Sequence, residues 1–444
     1  MKYFGTDGFR GKANVELTAK HAFMVGLSLG AQLVNKNDKP FVFIGKDTRL
    51  SSSMLESAVA AGVSSAGVGV KLLGVVPTPL VSFVTEHTEA VGAIMISASH
   101  NPYYDNGIKI FNEHGEKTDE KTEQLIENVI DEIEIIPLAS PDKIGVIEAD
   151  NEDVVRYIEY LHGSVPVDLT GYKVVLDCAN GASVTTAKKA FENTGCELIV
   201  MNDKPDGYNI NTNCGSTHPE DLVQQVLNNK ADMGFAFDGD ADRCIGVNDK
   251  GELITGDETL YLYARYLKEN NKLKNNLVVT TVMANLGLFK AFEKLEIETV
   301  STAVGDKYVF EALNEKDAII GGEQSGHIIF RDLANTGDGV LTALKLASVA
   351  KEMGKSLSEL TSDLAIYPQT LKNIKVVDKH SALENNALSN KIEDVRQRLN
   401  NDGRILVRPS GTEPLIRVMV EAKTQEICDG LVDEVIQLIQ ELNL

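Results

Sequence analysis

Apolar positions in this chain fall into short runs that stop abruptly in polar clusters. Val91 to Ile96 reads as a buried strand, and it ends in Ser97-Ala-Ser-His-Asn-Pro-Tyr-Tyr-Asp-Asn-Gly-Ile-Lys109. Before it, Thr18 has the chemistry of an N-cap for a helix reaching Val34. Phe41 to Ile44 is an apolar strand ending in Gly45-Lys-Asp-Thr-Arg49, Ser53 to Ala66 a helix, Val68 to Leu73 a strand and Val76-Pro-Thr-Pro79 a turn. Phe4-Gly-Thr-Asp-Gly-Phe-Arg-Gly11 reads as a Gly-spaced loop. This alternation predicts βαβ units and a mostly parallel sheet with helical crossovers. A charged helix from Glu116 to Glu134 closes the block.

The rhythm then restarts twice. After a linking helix, Asp153 to His162, strands are predicted at Lys173 to Cys178, Leu198 to Val200 and Met233 to Phe237, with helical stretches between them. The next block has helix Glu258 to Lys268, strand Leu277 to Thr281, helix Leu286 to Leu295, and strands Glu298 to Val304 and Ala318 to Gly321; it ends near Leu364. From Tyr367 the pattern changes to strands Thr370 to Val377, Arg404 to Val407 and Ile416 to Glu421, with helices through Ile392 to Leu399 and Gln425 to Leu442. The expected fold is α/β: three similar domains with mixed or parallel sheets at 1–150, 151–250 and 251–365, then a smaller α+β domain at 366–444.

Composition narrows the function. No apolar run approaches the roughly 20 residues of a membrane span, and the start of the chain lacks the apolar core of a signal peptide, so a cytoplasmic protein away from membranes is expected. Cys178, Cys196, Cys214, Cys244 and Cys428 form no metal or disulfide spacing. A formal net charge of −22 disfavours nucleic acid, which requires a basic surface. Any small anionic substrate must be captured by a local cluster of cations and N–H groups, since screening over about 8 Å mutes remote carboxylates.

Four polar clusters carry candidate chemistry. Ser99, followed by His100 and then Lys109, stands where ligands gather in open α/β sheets, beyond the carboxyl end of a strand. Ser, His, Asn and Pro are also ordinary turn residues, so this cluster alone leaves both readings open. Phe237-Asp-Gly-Asp-Ala-Asp-Arg243 sets Asp238, Asp240 and Asp242 at alternate positions after a strand, a density of hard oxygen ligands that suits Mg²⁺ or Ca²⁺. An EF-hand would need Gly and Glu where Arg243 and Asp249 stand, so Mg²⁺ is expected. Mg²⁺ keeps positions for phosphate oxygens, yet there is no Walker A sequence: Gly354-Lys-Ser356 has Val349 where its first Gly belongs. A phosphorylated Ser99 is the economical source of that phosphate. Gly322-Glu-Gln-Ser-Gly-His327 offers Glu323, Ser325 and His327 to sugar hydroxyls. Arg408-Pro-Ser-Gly-Thr-Glu-Pro414 has the composition of a phosphate cradle, with hydroxyls on Ser410 and Thr412, close backbone approach at Gly411 and a guanidinium fork on Arg408.

Together the four clusters resemble those of the α-D-phosphohexomutase superfamily, in the family's order and at its spacing, so the resemblance covers essentially the whole chain. Within it the sequence is similar to the branch acting on amino-sugar phosphates: it opens on Phe4 to Gly11 and carries Gln324 where mannose and glucose relatives usually have Met. The resemblance implies three α/β domains and a mobile C-terminal domain in a heart shape around a central cleft. It implies that phospho-Ser99 passes its phosphoryl group to glucosamine 6-phosphate and recovers the other phosphate from a 1,6-bisphosphate, releasing glucosamine 1-phosphate for UDP-N-acetylglucosamine and cell-wall precursors.

By the same implication, one Mg²⁺ per chain sits on Asp238, Asp240, Asp242 and the Ser99 phosphate. Arg10, His100, Lys109, Arg243 and His327 serve the chemistry, with Lys109 or His327 moving the proton, while Glu323 and Ser325 hold the sugar. Arg408, Ser410, Gly411, Thr412 and Arg417 hold the non-reacting phosphate, and a hexosamine or hexose 1,6-bisphosphate is the activator. The resemblance also implies a homodimer, of which the residues give no sign. Lys307 departs from the Arg common in relatives and lacks its bidentate fork. The competing readings are a mutase for glucose or mannose phosphates and a non-catalytic sugar-phosphate sensor.

Overall fold

In the computed structural model, which describes residues 2–5, 7–133, 135–150, 152–409 and 415–442, the apolar run before Ser99 becomes the strand Gly92–Ile96, buried at every position. It lies in a seven-stranded sheet of order Phe4–Gly5, Gly8–Lys12, Asp105–Phe111, Gly92–Ile96, Phe41–Lys46, Gly69–Val75, Ile147–Ala149. The last four strands run parallel, as the alternation predicts, but Asp105–Phe111 returns antiparallel beside Gly92–Ile96, pairing Ile96 with Ile108. In the stretch Phe4 to Gly11, expected as a loop, Phe4–Gly5 instead pairs antiparallel with Gly8–Lys12, and the latter strand pairs with Asp105–Phe111 and sets Arg10 opposite Gly107. Its glycines hide the alternation that marks a strand. Val76 to Pro79 is likewise more than a turn: it opens a helix, Thr78–Glu86, with Pro79 in the first turn, where a missing N–H is harmless. The helix expected from Glu116 runs over Glu120–Ile130, because the Asp119 side chain accepts from the Thr122 N–H and caps it there.

The next two sheets repeat this arrangement. One has the order Leu253–Ile254, Cys244–Asn248, Met233–Phe237, Lys173–Asp177, Glu197–Met201; the other Glu298–Thr302, Leu277–Thr281, Ile320–Gly322, Ile328–Phe330. In each, a strand parallel to its neighbour turns into an antiparallel partner, Phe237 pairing with Cys244 and Gly322 with Ile328. The Ser99, Asp238 and Glu323 clusters are therefore all connections of hairpins at strand ends. Among the described residues, no helix is long and apolar enough to cross a membrane.

The chain divides into two compact units, Met1–Met283 with Ile297–Ser362, and Ala284–Glu296 with Asp363–Leu444. All three of these sheets belong to the first. The second holds an antiparallel sheet of order Gln369–Lys375, Leu415–Ala422, Gly403–Pro409, backed by helices Asn386–Leu399 and Gln425–Glu441. Its core packs Val395 and Leu399 against Val418, Val420, Val432 and Val435. Helix Leu286–Lys294 belongs to this unit, where the Leu286 N–H donates to Glu421 Oε2 at 2.9 Å.

Candidate active site

Ser99 sits at the end of its strand with φ 51°, a left-handed conformation rare for a residue with a Cβ. The site tolerates it because both its peptide groups are bound. The Ser99 N–H donates to Ser97 Oγ at 2.9 Å, and its C=O accepts from Arg49 Nη2 at 3.0 Å and Asn211 Nδ2 at 2.9 Å. The backbone then turns Ser99 Oγ toward Asp238, whose Oδ2 accepts from it at 2.5 Å. Gly239 makes this approach possible, since a Cβ there would stand 2.5 Å from the Ser99 carbonyl oxygen.

Asp238, Asp240 and Asp242 are all buried, and each offers a carboxylate oxygen within 4.8 Å of the others. Alternation alone would send every second side chain to one side; the left-handed Ala241, φ 55°, curls the loop so that the three converge. Thr78 fastens it, donating from Oγ1 to Asp240 Oδ2 at 2.6 Å and from its N–H to the Asp240 carbonyl at 2.9 Å. Burial, followed by the Asp242 and Asp240 charges, pushes Asp238 well above the ordinary carboxylate range. Burial also opposes the charge on Asp242, but Lys109, His327 and Arg243 outweigh it and hold that carboxyl well below its usual value. Asp240 Oδ1 and Asp242 Oδ1 are buried and accept no hydrogen bond among the described residues. Converging oxygens with idle acceptors and one disfavoured anion fit a divalent cation.

Lys109 lies on the returning strand, almost wholly buried, with Nζ 2.9 Å from Asp240 Oδ2, 3.3 Å from Asp242 Oδ2 and 3.2 Å from Asp7 Oδ2. Burial disfavours its charge, yet these carboxylates outweigh burial and raise its pKa well above the ordinary value, so it is an ammonium. Asp7 also pairs with Arg10, and its Oδ1 lies 2.5 Å from Lys117 Nζ. Lys117 reaches across to Asp306 Oδ2 at 2.5 Å, and that oxygen lies 3.7 Å from His327 Nε2. The residues expected at the site thus meet through three that the motifs did not single out: Asp7, Lys117 and Asp306. Asp7 and Asp306 each adjoin a glycine, Asp7 before Gly8 and Asp306 after Gly305, which was the available sign.

His327 is buried. Its Nε2 accepts from the Gly337 N–H at 3.0 Å while Nδ1 faces Asp242 Oδ2 at 3.7 Å. The Gly337 donor needs an unprotonated Nε2; against it, and against burial, Asp242 and Asp306 raise the imidazole pKa. His100 behaves oppositely. Burial, then the Arg243 and Arg10 guanidiniums, lowers it to about 4, and its Nδ1 takes Arg243 Nη1 at 3.2 Å and faces Ser99 Oγ at 3.4 Å. Arg243 also donates its backbone N–H to Asp238 Oδ1 at 3.3 Å.

Glu323 is half-buried, its Oε1 accepting from the Gly305 N–H at 3.0 Å, and Ser325 is exposed. Lys307 Nζ rests 3.3 Å from Glu120 Oε1. In the second unit Arg408 and Arg417 are register partners on adjacent strands, and Nε of each is buried without a hydrogen-bond partner among the described residues. Burial and then the Arg417 charge lower the pKa of Arg408, an arrangement that an anion would relieve. Ser410, Gly411 and Thr412 lie outside the described residues.

Models of the phosphoglucomutase/phosphomannomutase domains match the chain in order: alpha/beta/alpha domain I over residues 1–136, domain II over 155–251, domain III over 255–367 and the C-terminal domain over 371–438. A phosphoglucosamine mutase of Lachnospira eligens is 50% identical over 442 residues, covering 99% of this chain and 98% of that protein. One from Halalkalibacterium halodurans is 48% identical over 439 residues, with the same coverage. The chain also shares its fold with Aspergillus fumigatus N-acetylphosphoglucosamine mutase, solved in complex with GlcNAc-6P and magnesium: the TM-score is 0.72 at 19% identity, over 100% of this chain and 96% of that one.

Proposed function

The chain belongs to the phosphoglucomutase/phosphomannomutase family, and from that membership we propose that it interconverts glucosamine 6-phosphate and glucosamine 1-phosphate through a phosphorylated Ser99. The observation that carries this reading is the Ser99 hydroxyl, held in a strained conformation 2.5 Å from a carboxylate of the buried Asp triad. A hydrolase-type serine would need a base beside it; here its nearest partners are a carboxylate of the cation-binding set and a His100 that is itself engaged by Arg243.

In the forward direction the bond between Ser99 Oγ and phosphorus breaks as the sugar O1 bonds to the same phosphorus, and the proton lost from O1 ends on Ser99 Oγ; the second transfer returns it from Ser99 Oγ to O6. After the 1,6-bisphosphate turns over, the O6–phosphorus bond breaks and Ser99 Oγ is phosphorylated again, so glucosamine 1-phosphate departs and the enzyme returns to its starting state. Such transfer depends on in-line positioning and charge neutralisation. Asp238, Asp240 and Asp242 would hold one Mg²⁺ per chain, which when bound neutralises charge on the transferring group. Lys109 or His327 moves the proton, and Lys109, kept as an ammonium, neutralises charge on the departing oxygen. His327, with Nε2 on Gly337 and Nδ1 toward Asp242, orients that carboxylate. Arg10 and Arg243 face the same charge, Glu323 and Ser325 meet the sugar hydroxyls, and Arg408 and Arg417, with Ser410, Gly411 and Thr412, take the non-reacting phosphate.

The reading includes four domains with boundaries near 150, 250 and 365, a hexosamine or hexose 1,6-bisphosphate as activator, a cytoplasmic location, a supply of sugar for UDP-N-acetylglucosamine and, on resemblance, a homodimer. Preference for the amino sugar draws its support from the relatives named above. Kinetics on glucosamine, glucose and mannose 6-phosphates in parallel test it: the expected result is the highest kcat/KM for the amino sugar, and equal or lower values would overturn that assignment. Intact mass after glucose 1,6-bisphosphate tests the carrier: one phosphoryl group is gained by the native chain and none by Ser99→Ala, whereas a mere sensor gains none in either.

A further inference from the structure

The conformation of Ser99 is maintained by groups that touch neither sugar nor cation in this reading. Asp47 and Arg49 form an ion pair with both side chains wholly buried beneath the loop. Asp47 Oδ2 accepts from Ser97 Oγ at 2.5 Å, and that same Oγ receives the Ser99 N–H. The other carboxylate oxygen takes Ser52 Oγ at 2.8 Å and the Arg49 N–H at 3.0 Å. Arg49 Nη2 then reaches two carbonyls at once, of Ser99 at 3.0 Å and of Asn101 at 2.5 Å. From the second sheet's side, Asn211 Nδ2 reaches the same two, at 2.9 and 3.1 Å. Two donors from separate parts of the chain thus close on one pair of oxygens, while Ser99 Oγ faces Asp238.

We propose that Arg49 and Asn211 are positioning residues for phosphoryl transfer: they pinch the Ser99 and Asn101 carbonyls and so fix the left-handed turn that aims Ser99 Oγ at the Asp triad. The inference rests on Ser99 being the phosphoryl carrier. A left-handed residue with a Cβ is disfavoured, and it persists only where its surroundings determine it. Without the pinch the turn relaxes, and displacement of a reacting atom by about 1 Å costs on the order of a hundredfold in rate. A buried ion pair is by itself weak evidence of net stabilisation. What this one does locally is present a fixed donor fork, which Lys cannot reproduce.

The test uses the full chain with Mg²⁺ and three variants. Asn211→Asp keeps shape and tolerance for φ 56° but turns a donor into an acceptor against two carbonyl oxygens; Arg49→Lys keeps the charge and loses the fork; Asn211→Ala removes the donor without adding repulsion. Expected are losses in kcat of roughly ten- to a hundredfold with KM for the sugar phosphate within about twofold, and a parallel slowing of Ser99 phosphorylation by glucose 1,6-bisphosphate, followed by intact mass. Native kcat and phosphorylation rate in the folded variants would overturn the proposal, as would a raised KM at unchanged kcat. Should a charge-altering variant fail to fold, Asn211→Ala decides by the same two readouts. If instead the native chain gains no phosphoryl group that Ser99→Ala abolishes, the carrier reading fails, which is a distinct result.

Discussion

Lys109 is a buried cation set among three of the site's carboxylates, and replacing it with Met is a direct probe of how that cluster is balanced. Met has similar length and an apolar end, so Lys109→Met leaves the strand Asp105–Phe111 packed while removing the ammonium from beside Asp240, Asp242 and Asp7. At an effective dielectric of about 20, unit charges about 4 Å apart interact by about 4 kcal/mol. Removing one partner of a buried pair typically destabilises by about 3–5 kcal/mol. At roughly 2 °C per kcal/mol, a low value suited to a large folded unit, the melting temperature in chelator should fall by about 6–10 °C. A divalent cation supplies positive charge to the same oxygens, so Mg²⁺ should stabilise the variant more than the native chain. A ligand at a hundred times its Kd contributes about 2.7 kcal/mol, enough to recover much of the deficit. The assay is thermal unfolding of both proteins in EDTA and across a MgCl₂ titration. A variant as stable as the native chain in EDTA, or equal Mg²⁺ increments in the two, would refute this account of the cluster.

Two further outcomes follow from the same geometry. Asp240→Asn removes a charged ligand while retaining an acceptor for Thr78, so turnover should fall at least about a hundredfold in a chain that still folds; native turnover in that variant, or in excess chelator, would refute the metal role. Asp338, which caps helix Gly339–Met353 and accepts from Tyr157 Oη at 2.7 Å, is raised by burial from 3.8 to about 6. The folded chain therefore holds a proton that the unfolded chain has lost, so the contribution is full below about pH 4, disappears as pH rises through 6 and amounts to about 3 kcal/mol. Asp338→Asn removes that titration, so the difference in urea midpoint between native and variant should shift toward the variant from pH 4 to pH 7; parallel profiles would contradict it.

Much of the architecture was legible in the sequence because strand burial and helix capping are local. Met233–Phe237 and Leu277–Thr281 stand where the apolar runs place them, and Thr18 caps its helix by accepting from the His21 N–H. The returning strands were not legible, and in the first sheet the physical reason is plain. Asp105–Phe111 buries Asn106 and Lys109, whose polar groups are satisfied only by partners far along the chain, so its pattern reads as loop. Gly8–Lys12 conceals its pairing behind glycines in the same way.

The sequence by itself determined the residue types of the site: a serine at a strand's end, three alternate aspartates, and loops of hydroxyls and cations in a chain too acidic to hold anions except locally. Only the tertiary structure decided which of them meet. The Ser99 hydroxyl and Asp238 are 139 positions apart, and Lys117 and Asp7 are 110 apart. Their pairing follows from how the sheets of the first unit pack. So does the left-handed turn at Ser99, because its disfavoured backbone is held by Arg49 and Asn211 from elsewhere in the fold, and local sequence preference would relax it.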